Sequence, residues 1–327
     1  MWKGYTLKIG KNSVATMSEC NFCHGNHLKT GIEFNGFTIY TCNSCGLSKV
    51  YPTPDTAKIY ADFSDNVAQG NSKSYISYFK SKPDHFKYFI YDHRIKPIEK
   101  YDPIIFSDKK SCVVDVGCGS GTFLAYMKSI GFENLWGLDY NQKNVEEIKS
   151  AFHINALHGD IGRLRDIPPG DLMVLYDVLE HVPDPQLYLK AIYNHLNTAG
   201  VVQIRVPNYG SLWARVLKKR WLWTIPPFHL NYFNVRVLRS MLVEAGFSDI
   251  KIFSNKSGFR MVFYFLQISK AFKNRVNVEG LSRSLTDFLF YSFLVLEKIF
   301  SFLYYPIAFV LQRFDADDCI EVYARKK

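Results

Sequence analysis

An apolar stretch of the secretory type is missing from the start of this 327-residue sequence, which opens Met1, Trp2, Lys3, Gly4, Tyr5. A cytoplasmic, reducing location is the expectation. Long uncharged runs are also scarce. The two most apolar stretches, Phe288 to Leu296 and Ile299 to Leu311, are broken by Glu297-Lys298 and by Pro306, short of the roughly 20 uncharged residues of a simple spanning helix. The Gly-Lys-Ser/Thr of a phosphate-binding loop is absent, and so is Gly-x-Gly-x-x-Gly, so pyrophosphate is not the expected ligand. Acid is in deficit, with Asp and Glu numbering 30 against 40 Lys and Arg, a net charge of +10. That balance favours contact with something anionic, whether nucleic acid, a membrane surface or a phosphorylated substrate, without choosing among them. Neither an internal repeat nor a long low-complexity tract occurs.

What is present is ordinary globular material: 47% hydrophobic and 21% charged, with aromatics high at 16%. One dominant α/β core with small additions fits the length. The organisation expected is a ribbon module over 1–52, a helical lead-in over 53–110 that caps the substrate cleft, a main domain over 111–255 completed by 318–327, and an apolar and basic helical insertion over 256–317.

Four of the seven cysteines stand in two pairs, Cys20 with Cys23 and Cys42 with Cys45. Disulfides are rare in reduced compartments, and two Cys-x-x-Cys pairs at this spacing read as a four-thiolate structural zinc site, which leaves no open position for catalysis. A redox dithiol is the weaker alternative, and His24 and His27 are not needed as ligands. Between the pairs, Ile32 to Tyr40 reads as a hairpin turning at Asn35-Gly36. Cys112, Cys118 and Cys319 fall in strand or loop positions and read as buried.

In the lead-in, Tyr75 to Lys82 and His85 to Lys100 read as helices punctuated by Pro83 and Pro97. From Cys112 onward, short apolar runs alternate with amphipathic stretches. Cys112 to Val116, Leu135 to Leu138, Leu172 to Tyr176 and Gly200 to Val206 read as strands, with Ile250 to Ser254 and Cys319 to Ala324 closing the set and Leu238 to Ala245 as a helix. That alternation predicts a doubly wound sheet flanked by helices. The first strand runs into Gly117-Cys118-Gly119-Ser120-Gly121, a turn whose missing side chains let backbone approach a ligand, ahead of a helix over Thr122 to Ile130. Asp139 closes the next strand, where a carboxylate can accept both hydroxyls of a ribose. By itself the glycine turn would also suit a dinucleotide, a phosphate or a plain strand-helix junction.

The ordered set Asp115-Val-Gly117-Cys118-Gly119-Ser-Gly121, Asp139, Gly159-Asp160 and Asp177 with Glu180-His181-Val182-Pro183-Asp184-Pro185 resembles the class I S-adenosylmethionine-dependent methyltransferases, over about residues 85 to 255. The resemblance implies a seven-stranded, Rossmann-like sheet. It implies that Gly117, Cys118, Gly119 and Gly121 pack on the methionine part and ribose, that Asp139 and Tyr140 border the nucleoside, and that Asp160 faces the adenine amine. Asp177 would lie beside the reactive methyl, and Asp115 would orient the glycine turn. A solvated turn carboxylate is the alternative for Asp160.

Methyl transfer needs an aligned nucleophile and a base for its proton. His181, which follows the strand Leu172 to Tyr176, and His229 and Tyr232, in the connection Pro226 to Phe233, are the candidates to touch substrate. His229 is either the base or a hydrogen-bonding anchor for its loop; His181 reads first as a loop anchor, and Tyr232 as a phenol facing substrate or a packed ring. With its cysteine pairs the whole chain is similar to a bacterial group that includes sugar C-methyltransferases, where the resemblance implies an acidic residue paired with the histidine matching His229. Phe228 stands there instead. O-methylation resembling the quinone-biosynthesis methyltransferases is an equal rival.

The expected acceptor is a small molecule, anionic or sugar-bearing: a sugar, a nucleotide-sugar or a lipid-linked intermediate. Nucleic acid is disfavoured, since no Asn/Asp-Pro-Pro-Tyr/Phe signature stands where Asp177-Val-Leu-Glu180 does. An inactive scaffold on the same fold is the reading of another class, and the intact acidic and glycine set speaks against it. For 284–312 two readings stay open: a helical pair lying on the inner face of an anionic membrane, or one packed on the protein or at a dimer contact.

Overall fold

Runs that are apolar at every position occupy the middle of the main sheet, since both of their faces are covered. In the computed structural model, which describes residues 19–34, 36–54, 94–255 and 306–327, the strand Val113–Val116 is buried throughout and Gly170–Tyr176 at all positions but one. The helix expected at Tyr75 to Lys82, the stretch Phe288 to Leu296 and most of Ile299 to Leu311 lie outside the described residues.

The strands in chain order are β1 (Leu28–Phe34), β2 (Phe37–Cys42), β3 (Ser48–Tyr51), β4 (Val113–Val116), β5 (Leu135–Asp139), β6 (Asn155–His158), β7 (Gly170–Tyr176), β8 (Leu196–Pro207), β9 (Asn231–Tyr232), β10 (Ser248–Asn255) and β11 (Cys319–Arg325). Seven form one sheet in the order β10-β11-β8-β7-β4-β5-β6, and β11 runs antiparallel to both its neighbours. From β4 the chain winds outward through β5 and β6, then returns to β7 and β8 on the other side. The switch point, where the carboxyl ends of β4 and β7 leave a crevice, is where open α/β sheets bind ligands.

Among the described residues the helices are α1 (Lys96–Tyr101), α2 (Pro103–Ser107), α3 (Thr122–Ser129), α4 (Gln142–Phe152), α5 (Pro185–His195), α6 (Leu212–Leu217), α7 (Val235–Ala245) and α8, described over 306–313. Successive strand residues point to opposite faces. Val113, Leu172 and Val174 join Phe123, Met127 and Ile148 of α3 and α4, while Val114, Met173 and Leu175 join Leu189 of α5 and Leu238 and Met241 of α7. The sheet is thus covered on both sides, the doubly wound arrangement the alternation predicts. α7 is cut out by Asn234, whose side chain accepts from the Val237 amide, and by Gly246 at φ +105°. Truncating the fully buried Leu238 to Ala would cost about 2–5 kcal/mol.

The N-terminal strands form a second, antiparallel sheet, β1-β2-β3-β9, whose last member comes from the connection after β8. The ribbon is therefore stitched to the main domain, with Ser48 opposite Tyr232 and Lys49 opposite Asn231. Three strands escape the sequence reading. β9 is two residues in a proline-rich loop, β3 carries a buried Lys49, and β6 is a sheet-edge strand with both ends exposed, so none shows an apolar run of its own. The helix expected over His85 to Lys100 is described only from residue 94, and α1 within it ends at Tyr101. Among the described residues no helix is long and apolar enough to cross a membrane.

Candidate active site

At the carboxyl end of β4 the chain turns through three glycines with left-handed backbone: Gly117 at φ +75°, Gly119 at +52° and Gly121 at +70°. A Cβ on Gly117 would sit 2.5 Å from Val178 Cγ2, and one on Gly121 would sit 2.5 Å from Ile148 Cγ1. These two are small because the protein packs against them. Around Gly119 nothing lies within 4 Å. Its bare face opens on the crevice, the shape a ligand pressed against backbone requires.

Asp139 grips this turn from β5. Its Oδ2 accepts from the Gly119 amide at 2.7 Å, and Oδ1 accepts from the Asn141 amide at 2.9 Å and from Asn144 Nδ2 at 3.1 Å. A carboxylate offers about four acceptor positions, so capacity remains for a ligand hydroxyl. Tyr140, next in line, is about half exposed and meets the His158 ring edge-on. Asp160 Oδ1 accepts from the Gly162 amide at 3.0 Å and caps a short 3-10 turn, so this carboxylate has a structural task whatever else it meets. Cys118 is buried within the turn, its thiol pushed up by burial.

Beneath the turn, burial pushes the Asp115 carboxyl up to about 7, with Arg94 opposing and Asp139 adding to the shift. The Arg94 guanidinium lies 4.2 Å from the Tyr176 ring centre, and its carbonyl accepts from Gln203 Nε2 at 3.2 Å. Arg94 is the site-bordering residue that sequence reasoning missed; it sits in the lead-in with no motif around it. Asp177, just past β7, holds φ +57°, a left-handed conformation that costs a non-glycine residue roughly 1–3 kcal/mol and is typical of functional turns.

A second group forms where the turn after β7 meets the connection before β9. Ligating atoms of Glu180, His181 and His229 all lie within 4.8 Å of one another. The Glu180 carbonyl accepts from the Leu230 and Asn231 amides at 2.7 and 3.1 Å, and Asn231 Nδ2 donates to the Val182 carbonyl at 2.6 Å. His181 Nδ1 faces the Phe228 carbonyl at 2.8 Å, so that nitrogen carries the proton and Nε2 the lone pair. Burial lowers the pKa of His181 and keeps it neutral. That contact ties the turn after β7 to the connection that carries His229.

His229 stacks on Trp223, ring centres 5.8 Å apart, and meets His181 edge-on at 4.8 Å. Position 228 holds Phe, and the carboxylate within 4.8 Å of this imidazole is that of Glu180, from the turn after β7. Tyr232 is buried in β9 against Tyr209, at 5.0 Å, and burial holds its hydroxyl well above its ordinary range.

Away from the crevice, Cys20, Cys23, Cys42 and Cys45 converge with no disulfide among them. Cys20 Sγ is 3.7 Å from Cys45 Sγ, and Cys23 Sγ is 3.5 Å from Cys42 Sγ. Four sulfurs about 2.3 Å from one tetrahedral ion stand roughly 3.8 Å apart, so the donor set fits zinc in number, chemistry and spacing.

Residues 91–252 match a family model described as a methyltransferase domain. A 2-methyl-6-phytyl-1,4-hydroquinone methyltransferase of Oryza sativa subsp. japonica is 28% identical over 182 residues, covering 51% of this chain and 52% of that one. A ubiquinone biosynthesis O-methyltransferase of Rickettsia felis is 28% identical over 127 residues, covering 36% and 52%. The chain spans about half the length of the curated relatives it matches. A methyltransferase structure from Archaeoglobus fulgidus aligns with a TM-score of 0.45 and 20% identity, over 74% of this chain and 100% of that one. The switch-point crevice and the glycine turn both fall within residues 91–252, the stretch that matches the methyltransferase domain.

Proposed function

We propose that the protein moves a methyl group from S-adenosylmethionine to a hydroxyl of a small-molecule acceptor, with His229 as base. The observation that carries the reading is the open face of Gly119 beside the Asp139 carboxylate, a backbone cradle next to an acceptor suited to ribose. When bound, the sulfonium supplies an activated methyl group. The chain supplies everything else. The turn 117–121 and Asp139 hold the nucleoside, Asp177 borders the crevice, and an imidazole nitrogen of His229 takes the acceptor's proton. Glu180, within 4.8 Å, favours the imidazolium that results.

For the acceptor, rings of Trp223, Tyr232 and His181 around His229 favour a flat or apolar group. The relatives' names, a hydroquinone methyltransferase and a ubiquinone biosynthesis O-methyltransferase, support the quinone-like class; a sugar-bearing lipid-linked intermediate has the same need for aromatic walls and is the competing acceptor. The four-cysteine cluster is read as a structural zinc site that fixes β3 for its pairing with β9.

Calorimetry of the full chain with S-adenosylmethionine and its demethylated product tests the donor half. No binding by the folded protein refutes it. Transfer of labelled methyl to a catechol-type quinol, compared with transfer to sugar acceptors, tests the acceptor half.

A further inference from the structure

The molecule carries one exposed face that combines large apolar side chains with positive charge. On α8, Ile307, Phe309 and Val310 are each more than half exposed, and Phe314 just beyond is 77% exposed. The opposite side of α8 is fixed to the protein, since Ala308 and Leu311 are buried against Trp213 of α6. The Leu212 amide donates to the Ala316 carbonyl at 2.9 Å, locking the two segments together. α6 presents Val216, 64% exposed, and a cationic rim follows it: Arg215, Lys218, Lys219 and Arg220 are all exposed. Six of the eleven large exposed apolar side chains among the described residues fall on these two helices and their flanks.

Scattered surface apolar residues need no explanation, but a set rimmed mainly by cations, here Arg215, Lys218, Lys219, Arg220 and Arg313 against the exposed Asp315, marks a binding surface. We propose that this face, α6 with its Lys-Lys-Arg turn and α8 with Phe314, docks on an anionic lipid surface. Charge complementarity selects that occupant. Phe and Val side chains enter the acyl boundary while Lys and Arg stay at headgroup level, the arrangement of a protein that lies on a bilayer. No described helix is long and apolar enough to span one. The docked face also leads into the crevice. The chain that leaves α6 runs through Trp221 and Trp223, and Trp223 stacks on His229. An acceptor carried in the membrane would arrive beside the proposed base.

The test is flotation of the full chain with phosphatidylcholine vesicles, with and without 30% phosphatidylglycerol, and needs no methyl donor, so its outcome is separate from that of the catalytic proposal. The expectation is binding to the anionic vesicles alone, weakened by salt. Lys218→Glu with Lys219→Glu, and separately Phe309→Ser with Phe314→Ser, should each lower the bound fraction at least tenfold. All four positions are exposed, and unchanged circular dichroism and thermal midpoint confirm that the variants fold. No binding to anionic vesicles overturns the proposal. Binding that both double variants leave unchanged overturns it too, placing the contact elsewhere in the chain. So does a dimer that Phe309→Ser with Phe314→Ser dissociates while vesicles are ignored, because the occupant is then a second copy.

Discussion

The carboxylate of Glu180 and the imidazole of His229 lie within 4.8 Å of each other although they belong to different connections, one after β7 and one before β9. Backbone amides of Leu230 and Asn231 on the Glu180 carbonyl hold the two segments in register. The pairing gives the proposed base a partner that its own loop does not contain.

His229→Ala should lower turnover by roughly 10²–10⁴-fold, the usual contribution of a positioned base. Glu180→Gln, which keeps the shape and removes the charge, should lower it less and shift the rising limb of the pH-rate profile toward lower pH, because the imidazolium loses its counter-charge and gives up its proton more readily. Donor affinity measured by calorimetry should stay within about twofold in both. Unchanged turnover in His229→Ala would remove it from the role.

The glycine turn separates packing from ligand contact. Gly119→Ala adds a methyl facing open space, so its folding cost is limited to the left-handed backbone, about 1–2 kcal/mol, yet that methyl stands in the donor's place. A thermal midpoint lowered by only a few degrees with donor affinity reduced at least tenfold is expected. Gly117→Ala drives its Cβ into Val178 and should lose stability as well. Equal effects in both would show that Gly119 faces no ligand.

Metal analysis of the purified protein should give one zinc per chain. A strong chelator should release it together with four reactive thiols, and lower the thermal midpoint, because β3 holds both the cysteine ribbon and β9. Cys42→Ser should abolish the stoichiometric zinc. Retention of zinc by that variant would exclude the four-thiolate site.

Stability should fall as pH rises from about 5 to 8. Asp115 and Glu321 are buried, and burial lifts each carboxyl to about 7, against Arg94 for the first and Arg205 for the second. In the unfolded chain both return to the ordinary carboxylate range near 4. Between those values the folded state binds more protons, so the contribution is full below about pH 4 and is lost as pH passes through 7. Thermal midpoints of ligand-free protein should show that decline, and Asp115→Asn or Glu321→Gln should flatten it. A variant profile parallel to the native one would assign the decline to other groups.

Much of this was written in local pattern. The apolar runs of β4, β7 and β8, the turn 117–121 and the two Cys-x-x-Cys pairs each lie within a few residues, and hydrophobic periodicity or glycine spacing exposes them without any partner. The doubly wound sheet follows from their alternation. Contacts that join distant segments leave no such trace. β9 is a strand because β3 offers it an edge, Glu180 meets His229 because two loops share hydrogen bonds, and Arg94 borders Asp115 because the lead-in folds back over β4. The sequence by itself determined the elements and the glycine cradle, since those depend on neighbours in the chain. Tertiary structure alone decided which acid stands beside the histidine and which apolar side chains of α8 stay in solvent, since proximity between segments is a property of packing and not of order along the chain.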